Sequence, residues 1–189
     1  SKILQSSFYE IDILEIGGHH KGKRGKDSEN KQPTLLILST LEDNNYPQYV
    51  KLHTLPNYKG EPIEEYLKEK CLFDPTIVIN CDRDKAFFCL NKLAQLENSV
   101  VDYTKENHKL KWLNTFIGNI QSNINHLYRL VKKRDLPLFL SEQEWRINHR
   151  YSGKRIMDKV KKYISMSTPV TFKQITNSVL AYEKQFLSA

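Results

Sequence analysis

Two aspartates, Asp12 and Asp82, lie in or directly after predicted core strands, where a carboxylate needs a cationic partner. Asp12 lies in the middle of "FYEIDILEI", whose alternation of polar and apolar residues predicts a β-strand. Asp82 directly follows "TIVINC", an apolar run of the length of a central strand. Two carboxylates held close together repel each other unless a divalent cation lies between them. Their hard oxygen atoms would suit Mg²⁺ or Mn²⁺.

Each aspartate taken alone also has an ordinary structural explanation. Asp12 could pair with a lysine or point to solvent from an edge strand, since a buried carboxylate without a cation is costly. Asp82 could cap the helix that follows it. Their joint occurrence on two such strands favours the metal site.

The order of the predicted elements decides whether the two aspartates can meet. Strands are predicted at residues 7–16, 34–41, 48–55, 76–81 and 99–103, and helices at 61–72, 85–96, 109–133, 136–152, 154–164 and 171–187. Three strands, then helix, strand, helix, strand and helix is the order of the ribonuclease H-like fold. This is an α/β fold with a mixed five-stranded sheet flanked by helices, and here it has a C-terminal helical extension. Its first strand is central and its fourth lies beside the first, which would place Asp12 next to Asp82.

The length and composition predict one domain. We expect residues 1–135 to form the ribonuclease H-like core, and residues 136–189 to form a helical extension packed on it. The chain has 189 residues, 39% of them hydrophobic, and no apolar run longer than a strand, so we expect no membrane partner. Its three cysteines lack CxxC spacing, which favours reduced thiols over disulfides or a zinc site.

The net charge of +7 favours a polyanionic partner. Basic residues crowd the loop after the first strand, and others follow on the later helices. Taken singly, each basic group is also compatible with an ordinary solvated surface. As DNA-binding candidates we single out Lys21, Lys23, Arg24, Lys26, Lys132, Lys133, Arg146 and Arg150.

A third metal ligand would come from the helix after the fifth strand. No Asp or Glu occurs from 107 to 134, so an acidic third ligand on this helix is excluded. The helix has an apolar stripe and, beside it, a polar stripe that includes Asn119 and His126. Asn119 is the best available oxygen donor, although an asparagine on a helix surface is more often only solvated. We interpret His126 as a surface histidine, and we assign the loop residues His19 and His20 to the loop surface or to contacts with the DNA backbone.

Four segments, taken in order, carry a resemblance to a known family. They are "EIDILEIGGHHKGKRGK", "IVINCDRDKAF", "LKWLNTFIGNIQS" and "LFLSEQEWRINHR". Together they resemble the catalytic domain of the ISXO-like insertion-sequence transposases, a bacterial family with an Asp-Asp-Asn or Asp-Asp-Glu active site. The resemblance spans residues 8–150 and implies that Asp12, Asp82 and Asn119 are both the catalytic residues and the metal ligands.

The resemblance also implies a reaction and its partners. Asp12 would bridge two Mg²⁺ (or Mn²⁺) ions, and Asp82 and Asn119 would each hold one of them. The substrate would be double-stranded DNA, cleaved at the transposon ends and joined to target DNA. Because two ends must be brought together, a homodimer is expected. The implied location is the bacterial cytoplasm, at the nucleoid when the protein is bound to DNA.

Some positions depart from the family pattern and leave an alternative open. Ile13 stands where the family usually has a glutamate, and the stretch from Ile120 to Tyr128 lacks the lysine that usually follows the third ligand. The alternative is a catalytically inactive, degenerate transposase-derived domain that binds DNA. A third interpretation is an unrelated α/β protein whose aspartates are incidental.

Overall fold

The structure is a computed structural model that describes residues 8–17, 31–41, 46–70, 76–82, 84–98, 110–127, 131–153 and 155–177. Within these ranges the strands are β1 (Phe8–Ile16), β2 (Gln32–Thr40), β3 (Pro47–Thr54), β4 (Val78–Cys81) and β5 (Gln95–Asn98). The α-helices are α1 (Gly60–Lys70), α2 (Lys111–Leu127), α3 (Leu136–Asn148) and α4 (Arg155–Met166). The 3₁₀ helices are Lys85–Lys92 and Lys133–Asp135.

The strands form one mixed sheet in the order β3-β2-β1-β4-β5. The first three strands are antiparallel neighbours, and β4 and β5 are parallel additions on the other side of β1. Parallel pairs need a long crossover, and α1 supplies it between β3 and β4. This confirms the predicted ribonuclease H-like architecture, a mixed five-stranded sheet flanked by helices.

Both faces of the sheet are buried, because residues alternate between the two faces along each strand. Tyr9 and Ile11 point to the side covered by α1 and the first 3₁₀ helix. Leu14 and Ile16 point to the opposite side, under α2 and α3. Asp12 has the parity of Leu14 and Ile16, so it belongs to the side covered by α2. The alternation predicted for β1 is therefore confirmed.

The fifth strand lies earlier in the chain than the sequence predicts. Residues 85–96 were expected to form one helix, but the 3₁₀ helix ends at Lys92 and β5 begins at Gln95. The backbone N–H of Gln95 donates to Ile77 O at 2.9 Å, which starts the pairing with β4. This pairing partner is distant in sequence and overrides the local helical pattern. The strand predicted at 99–103 lies outside the described residues.

The predicted helix 109–133 is also too long. Helix α2 ends at Leu127, and Lys132 has an extended backbone with φ −70° and ψ 145°. The chain then starts α3 at Leu136, with a proline in its first turn. The break lets Leu136 and Leu140 join the core under α2 and α3, and it brings α3 onto β3.

The C-terminal part of the described chain is helical, as predicted. Helix α4 contributes no fully buried residue, and a further helical stretch covers residues 172–177. The remainder of the helix predicted at 171–187 lies outside the described residues. None of the helices in the described ranges is both long and apolar enough to cross a membrane.

Candidate active site

Asp12 and Asp82 are brought side by side at the centre of the sheet. The parallel pairing of β1 with β4 matches Glu10 with Asn80 and Ile11 with Cys81. Asp12 and Asp82 each come one residue after this last pair, so they lie at the same level of neighbouring chain segments. Neighbouring strands lie about 4.8 Å apart, so the two carboxylates share one small region on the side of the sheet covered by α2.

Local backbone contacts orient both carboxylates. Asp12 Oδ1 accepts a hydrogen bond from Ile13 N–H at 2.7 Å, and Asp82 Oδ1 accepts one from Asp84 N–H at 2.9 Å. The 3₁₀ helix that follows is capped by Asp84, whose Oδ1 accepts from Ala86 N–H at 3.1 Å. The capping role considered for Asp82 is therefore filled by Asp84. Asp12 lies on a strand that is paired on both sides, and so it is not at a sheet edge.

The pKa of the Cys81 thiol reflects the negative charges of Asp12 and Asp82. Burial, and then the nearby carboxylates of Asp82 and Asp12, raise the pKa of Cys81 to about 12. Both carboxylates therefore lie close enough to act on the same side chain. Cys81 stays a neutral thiol at physiological pH and is not a candidate nucleophile.

A buried glutamate on β1, two residues before Asp12, is hydrogen-bonded to α2. Glu10 is 6% exposed, and its Oε2 accepts a hydrogen bond from Leu113 N–H, in the first turn of α2, at 3.3 Å. A carboxylate at this position satisfies an N–H that has no partner within the helix, and it complements the positive end of the helix dipole. Glu10 is not among the site residues predicted from the sequence, although it has the same parity as Asp12 on β1.

Two hydrogen bonds define the flanks of α2. Gln121 Nε2 donates to Glu15 O on β1 at 3.3 Å, whereas Asn123 Nδ2 donates to Gln143 Oε1 on α3 at 3.0 Å. Helix α3 packs on β3, at the opposite end of the sheet from β4. The flank of Asn123 therefore faces α3 and β3, and the flank of Gln121 faces β1 and the β4 side.

Asn119 lies on the flank that faces α3. It is four positions before Asn123, which is about 40° around the helix, and its side chain is exposed. The structure therefore places Asp12 and Asp82 on neighbouring strands, and Asn119 on the exposed flank of α2 that faces α3.

Asn114 lies on the flank that faces the β4 side. It is seven positions before Gln121, about 20° around the helix, and it directly follows Leu113, which contacts Glu10. Its Nδ2 is buried without a hydrogen-bond partner among the described residues. On the sheet below, Asn80 Oδ1 is likewise buried without a described partner. Unpaired buried polar groups are rare and often mark a site for water or an ion.

The available donors fit a hard divalent cation. The described residues contain no group of three or more His, Cys, Asp or Glu side chains arranged to hold a metal. The carboxylates of Asp12 and Asp82 with the amide of an asparagine would form a set with only two acidic members. Its ligand atoms would all be oxygens, which Mg²⁺ and Mn²⁺ prefer. Rotating the Asn114 amide by about 180° exchanges Nδ2 for Oδ1 and places an oxygen at the unpaired position.

The predicted DNA-binding residues have different surroundings. Lys21, Lys23, Arg24 and Lys26 lie outside the described residues. Lys132 and Lys133 are exposed just before α3. Arg146 is exposed and forms an ion pair with Glu142 one turn earlier, with Nη2 and Oε1 2.8 Å apart. Lys132, Lys133 and Arg146 are therefore accessible to a phosphate backbone.

Arg150 makes contacts within the protein. Its guanidinium donates to the backbone oxygens of Gln48, at 3.3 Å, and Pro47. It also lies over the rings of Phe116, at 5.6 Å, and Tyr151, at 4.5 Å. These contacts attach the end of α3 to the start of β3, so Arg150 has a structural role whether or not it also contacts DNA.

Two further side chains of α3 cover the outer edge of β3. Asn148 Oδ1 accepts from Val50 N–H at 2.7 Å, and its Nδ2 donates to Val50 O at 2.9 Å. Glu144 Oε2 accepts from Leu52 N–H at 3.3 Å. These bonds satisfy backbone groups that an edge strand would otherwise expose to another chain. The polar pattern of "SEQEWRINHR" is thus partly explained by covering a sheet edge.

Comparison with protein families matches residues 8–148 to the ISXO2-like transposase domain. The chain belongs to this family. The resemblance inferred from the four sequence segments is thereby confirmed, and the domain is that of a DNA transposase. The matched range of the transposase domain includes β1 and β4 with their aspartates, all of α2, and α3 to its last residue. No curated protein matches the sequence.

Proposed function

We propose that this transposase domain cleaves the DNA strands at the ends of an insertion sequence and joins them to target DNA, with Asp12 and Asp82 as its central catalytic residues. The observation that carries the proposal is the register of β1 and β4, which makes these two aspartates neighbours on one side of the sheet. Two adjacent carboxylates on central strands form a rigid anionic site, which suits divalent cations.

The residues of the chain prepare this site in two ways. Hydrogen bonds from Ile13 N–H and Asp84 N–H hold the planes of the two carboxylates. Glu10 holds the first turn of α2 against β1 and so positions that helix over the site. The chemistry that bound Mg²⁺ or Mn²⁺ would supply here is activation of the attacking water or 3′-hydroxyl and stabilisation of the leaving oxygen.

For the third ligand we propose Asn114 in preference to the sequence prediction, Asn119. Asn114 is supported by its flank of α2 and by its unpaired buried amide. Asn119 is exposed on the flank towards α3. The two asparagines belong to one helix and have one side-chain type, so they form a matched pair for an experiment.

We also propose how the domain contacts DNA, its oligomeric state and its location. Lys132, Lys133 and Arg146 would contact phosphates of double-stranded DNA, so that binding weakens steeply with salt. Two transposon ends must be joined in one event, and we therefore propose a homodimer as the working form. Its place would be the bacterial cytoplasm, on the nucleoid during transposition.

The decisive experiment separates DNA cleavage, ion binding and DNA binding. Asp12→Asn should lower Mn²⁺-dependent nicking of a cognate end by at least about 100-fold, since the ions stabilise the transition state by several kcal/mol. The same variant should weaken Mn²⁺ binding measured by calorimetry without DNA. Its affinity for the DNA end should stay within about twofold, because most affinity comes from phosphate contacts elsewhere.

Matched variants test the assignment of individual residues. Asp158→Asn removes an exposed carboxylate on α4 and should leave nicking and Mn²⁺ binding unchanged. Asn114→Ala should weaken Mn²⁺ binding more than Asn119→Ala does, and the reverse order would restore Asn119 as the third ligand. If the unmutated protein binds cognate ends but never cuts them with either ion, the proposed cleavage is refuted for this chain.

A further inference from the structure

A cavity of about 470 Å³ lies between β3 and the helices α3 and α4. It is at the opposite end of the sheet from β4, and α2 and α3 lie between it and the paired aspartates. Its volume is within the range of small-molecule sites. The lining residues are Tyr49, Val50, Lys51, Ser141, Glu144, Trp145, Asn148, His149, Lys159 and Tyr163.

Aromatic rings form a large part of the cavity wall. Trp145 and His149 are stacked, with their ring centroids 4.5 Å apart and their planes at 22°. Tyr49 and Tyr163, which also line the cavity, are 39% and 56% exposed. Such surfaces take a flat ring well, because stacking on an aromatic face tolerates any nucleic-acid base.

The charged groups of the wall leave one positive charge in excess. Lys51 Nζ lies 2.6 Å from Glu144 Oε1, so these two charges neutralise each other. Lys159 Nζ donates to the neutral hydroxyl of Ser152 at 2.9 Å, and the lining residues contain no carboxylate other than Glu144. An anionic group bound in the cavity would therefore meet a cation next to the aromatic wall.

We propose that this cavity binds one nucleotide, with its base against the Trp145–His149 stack and its phosphate at Lys159. This inference rests on the proposed function in one respect, namely that the nucleotide is an unpaired one in the bound DNA. The strand pairing puts Asp12 level with Leu36, and Leu36 level with Leu52, beside the wall at Val50 and Lys51. Two strand spacings, or about 10 Å, separate the backbones of β1 and β3 at this level.

Tryptophan fluorescence provides a direct test. Trp112 and Trp145 are the two tryptophans of the chain, so Trp112→Phe leaves Trp145 as the reporter. Single-stranded oligothymidylate should quench it, and an abasic oligomer of equal charge should bind about 5- to 150-fold more weakly, since base stacking is lost. Lys159→Ala should weaken oligothymidylate binding at least tenfold, about the loss expected for a charged hydrogen bond.

Lys161→Ala is the matched control, because Lys161 is an exposed lysine of the same helix that does not line the cavity. Equal losses for the two lysine variants, or equal binding of the abasic oligomer, would overturn the nucleotide site. Thymidine monophosphate is the second probe. If it quenches Trp145 in a Lys159-dependent way and the oligomer does not, the assignment to bound DNA is wrong and a free nucleotide is the ligand.

The two proposals can fail separately. Asp12→Asn should abolish nicking and still allow quenching of Trp145, because the cavity does not contain Asp12. A protein that nicks DNA normally but shows no quenching would overturn the nucleotide site alone. A protein that shows quenching but never nicks DNA would overturn the cleavage proposal alone.

Discussion

Glu10 provides the sharpest test of how the site is positioned, because it is a buried carboxylate with an identified task. Its Oε2 accepts the hydrogen bond of Leu113 N–H in the first turn of α2, and the residue is 6% exposed. Replacing it by alanine leaves a buried N–H without this acceptor and removes a negative charge from the positive end of the helix. We therefore expect Glu10→Ala to disturb α2 more than β1.

The magnitude follows from these two losses. An unsatisfied buried N–H costs about 1–3 kcal/mol, and the charge at a helix N-terminus contributes about 0.3–1 kcal/mol. Removing a buried carboxylate offsets part of this loss, since its desolvation is relieved. The expected net fall in the free energy of unfolding is about 1–3 kcal/mol. Glu10→Gln retains an acceptor oxygen and should cost less than about 1 kcal/mol.

Urea unfolding measures the stability, and hydrogen exchange of the Leu113 amide measures the local effect. The Leu113 amide should exchange faster in Glu10→Ala, and Glu10→Gln should restore its protection. Because Asn114, the proposed third ligand, follows Leu113, Glu10→Ala should also weaken Mn²⁺ binding by about 10- to 100-fold, as is typical when support of a metal ligand is lost. Unchanged protection of Leu113, with stability within about 0.5 kcal/mol of wild type, would refute the positioning role.

Two further predictions concern stability. Burial, followed by the charge of Lys70, lowers the pKa of His53 to about 4. The unfolded chain therefore binds this proton more readily than the folded one does. We expect the free energy of unfolding to fall by about 2 kcal/mol from pH 7 to pH 5. His53→Phe keeps a ring that can stack on Tyr66, and it should remove this part of the pH dependence of stability measured by urea unfolding. If stability depends on pH in the variant as it does in the wild type, His53 is not the responsible group. Asn148→Ala should lower the free energy of unfolding by about 1–3 kcal/mol, because it leaves the N–H and C=O of Val50 at the edge of β3 without their partner. The control Asn125→Ala removes an exposed asparagine and should leave the free energy of unfolding almost unchanged. Equal effects of the two substitutions would contradict the role of Asn148 in covering this edge.

Much of the fold could be predicted from local patterns. The alternation in β1 places Asp12 on the same side as Leu14, and the structure agrees because a pleated strand has a period of two residues. The order of elements was enough to predict a central β1 beside β4. Both predictions depend on regularities that every strand and every short crossover share.

Element boundaries were harder, because they depend on distant partners. The segment up to Leu96 has a helical pattern, yet Gln95 bonds to Ile77 on β4 and becomes a strand residue. The long amphipathic helix stops at Leu127, and the new helix that starts at Leu136 buries its own leucines under the same sheet face. In both places a long-range pairing or packing contact outweighs the local preference.

The sequence by itself determined the two aspartates, the side of β1 on which Asp12 lies, and the absence of any acidic residue on α2. It also showed that this helix carries several asparagines, which are equivalent as local side chains. Only the tertiary structure decided towards which neighbouring elements each of them points. The packing of α3 on β3 turns Asn119 and Asn123 to one flank of α2 and leaves Asn114 on the other. A helical period specifies the angles between residues, and only contacts with other elements specify the direction in which each residue points.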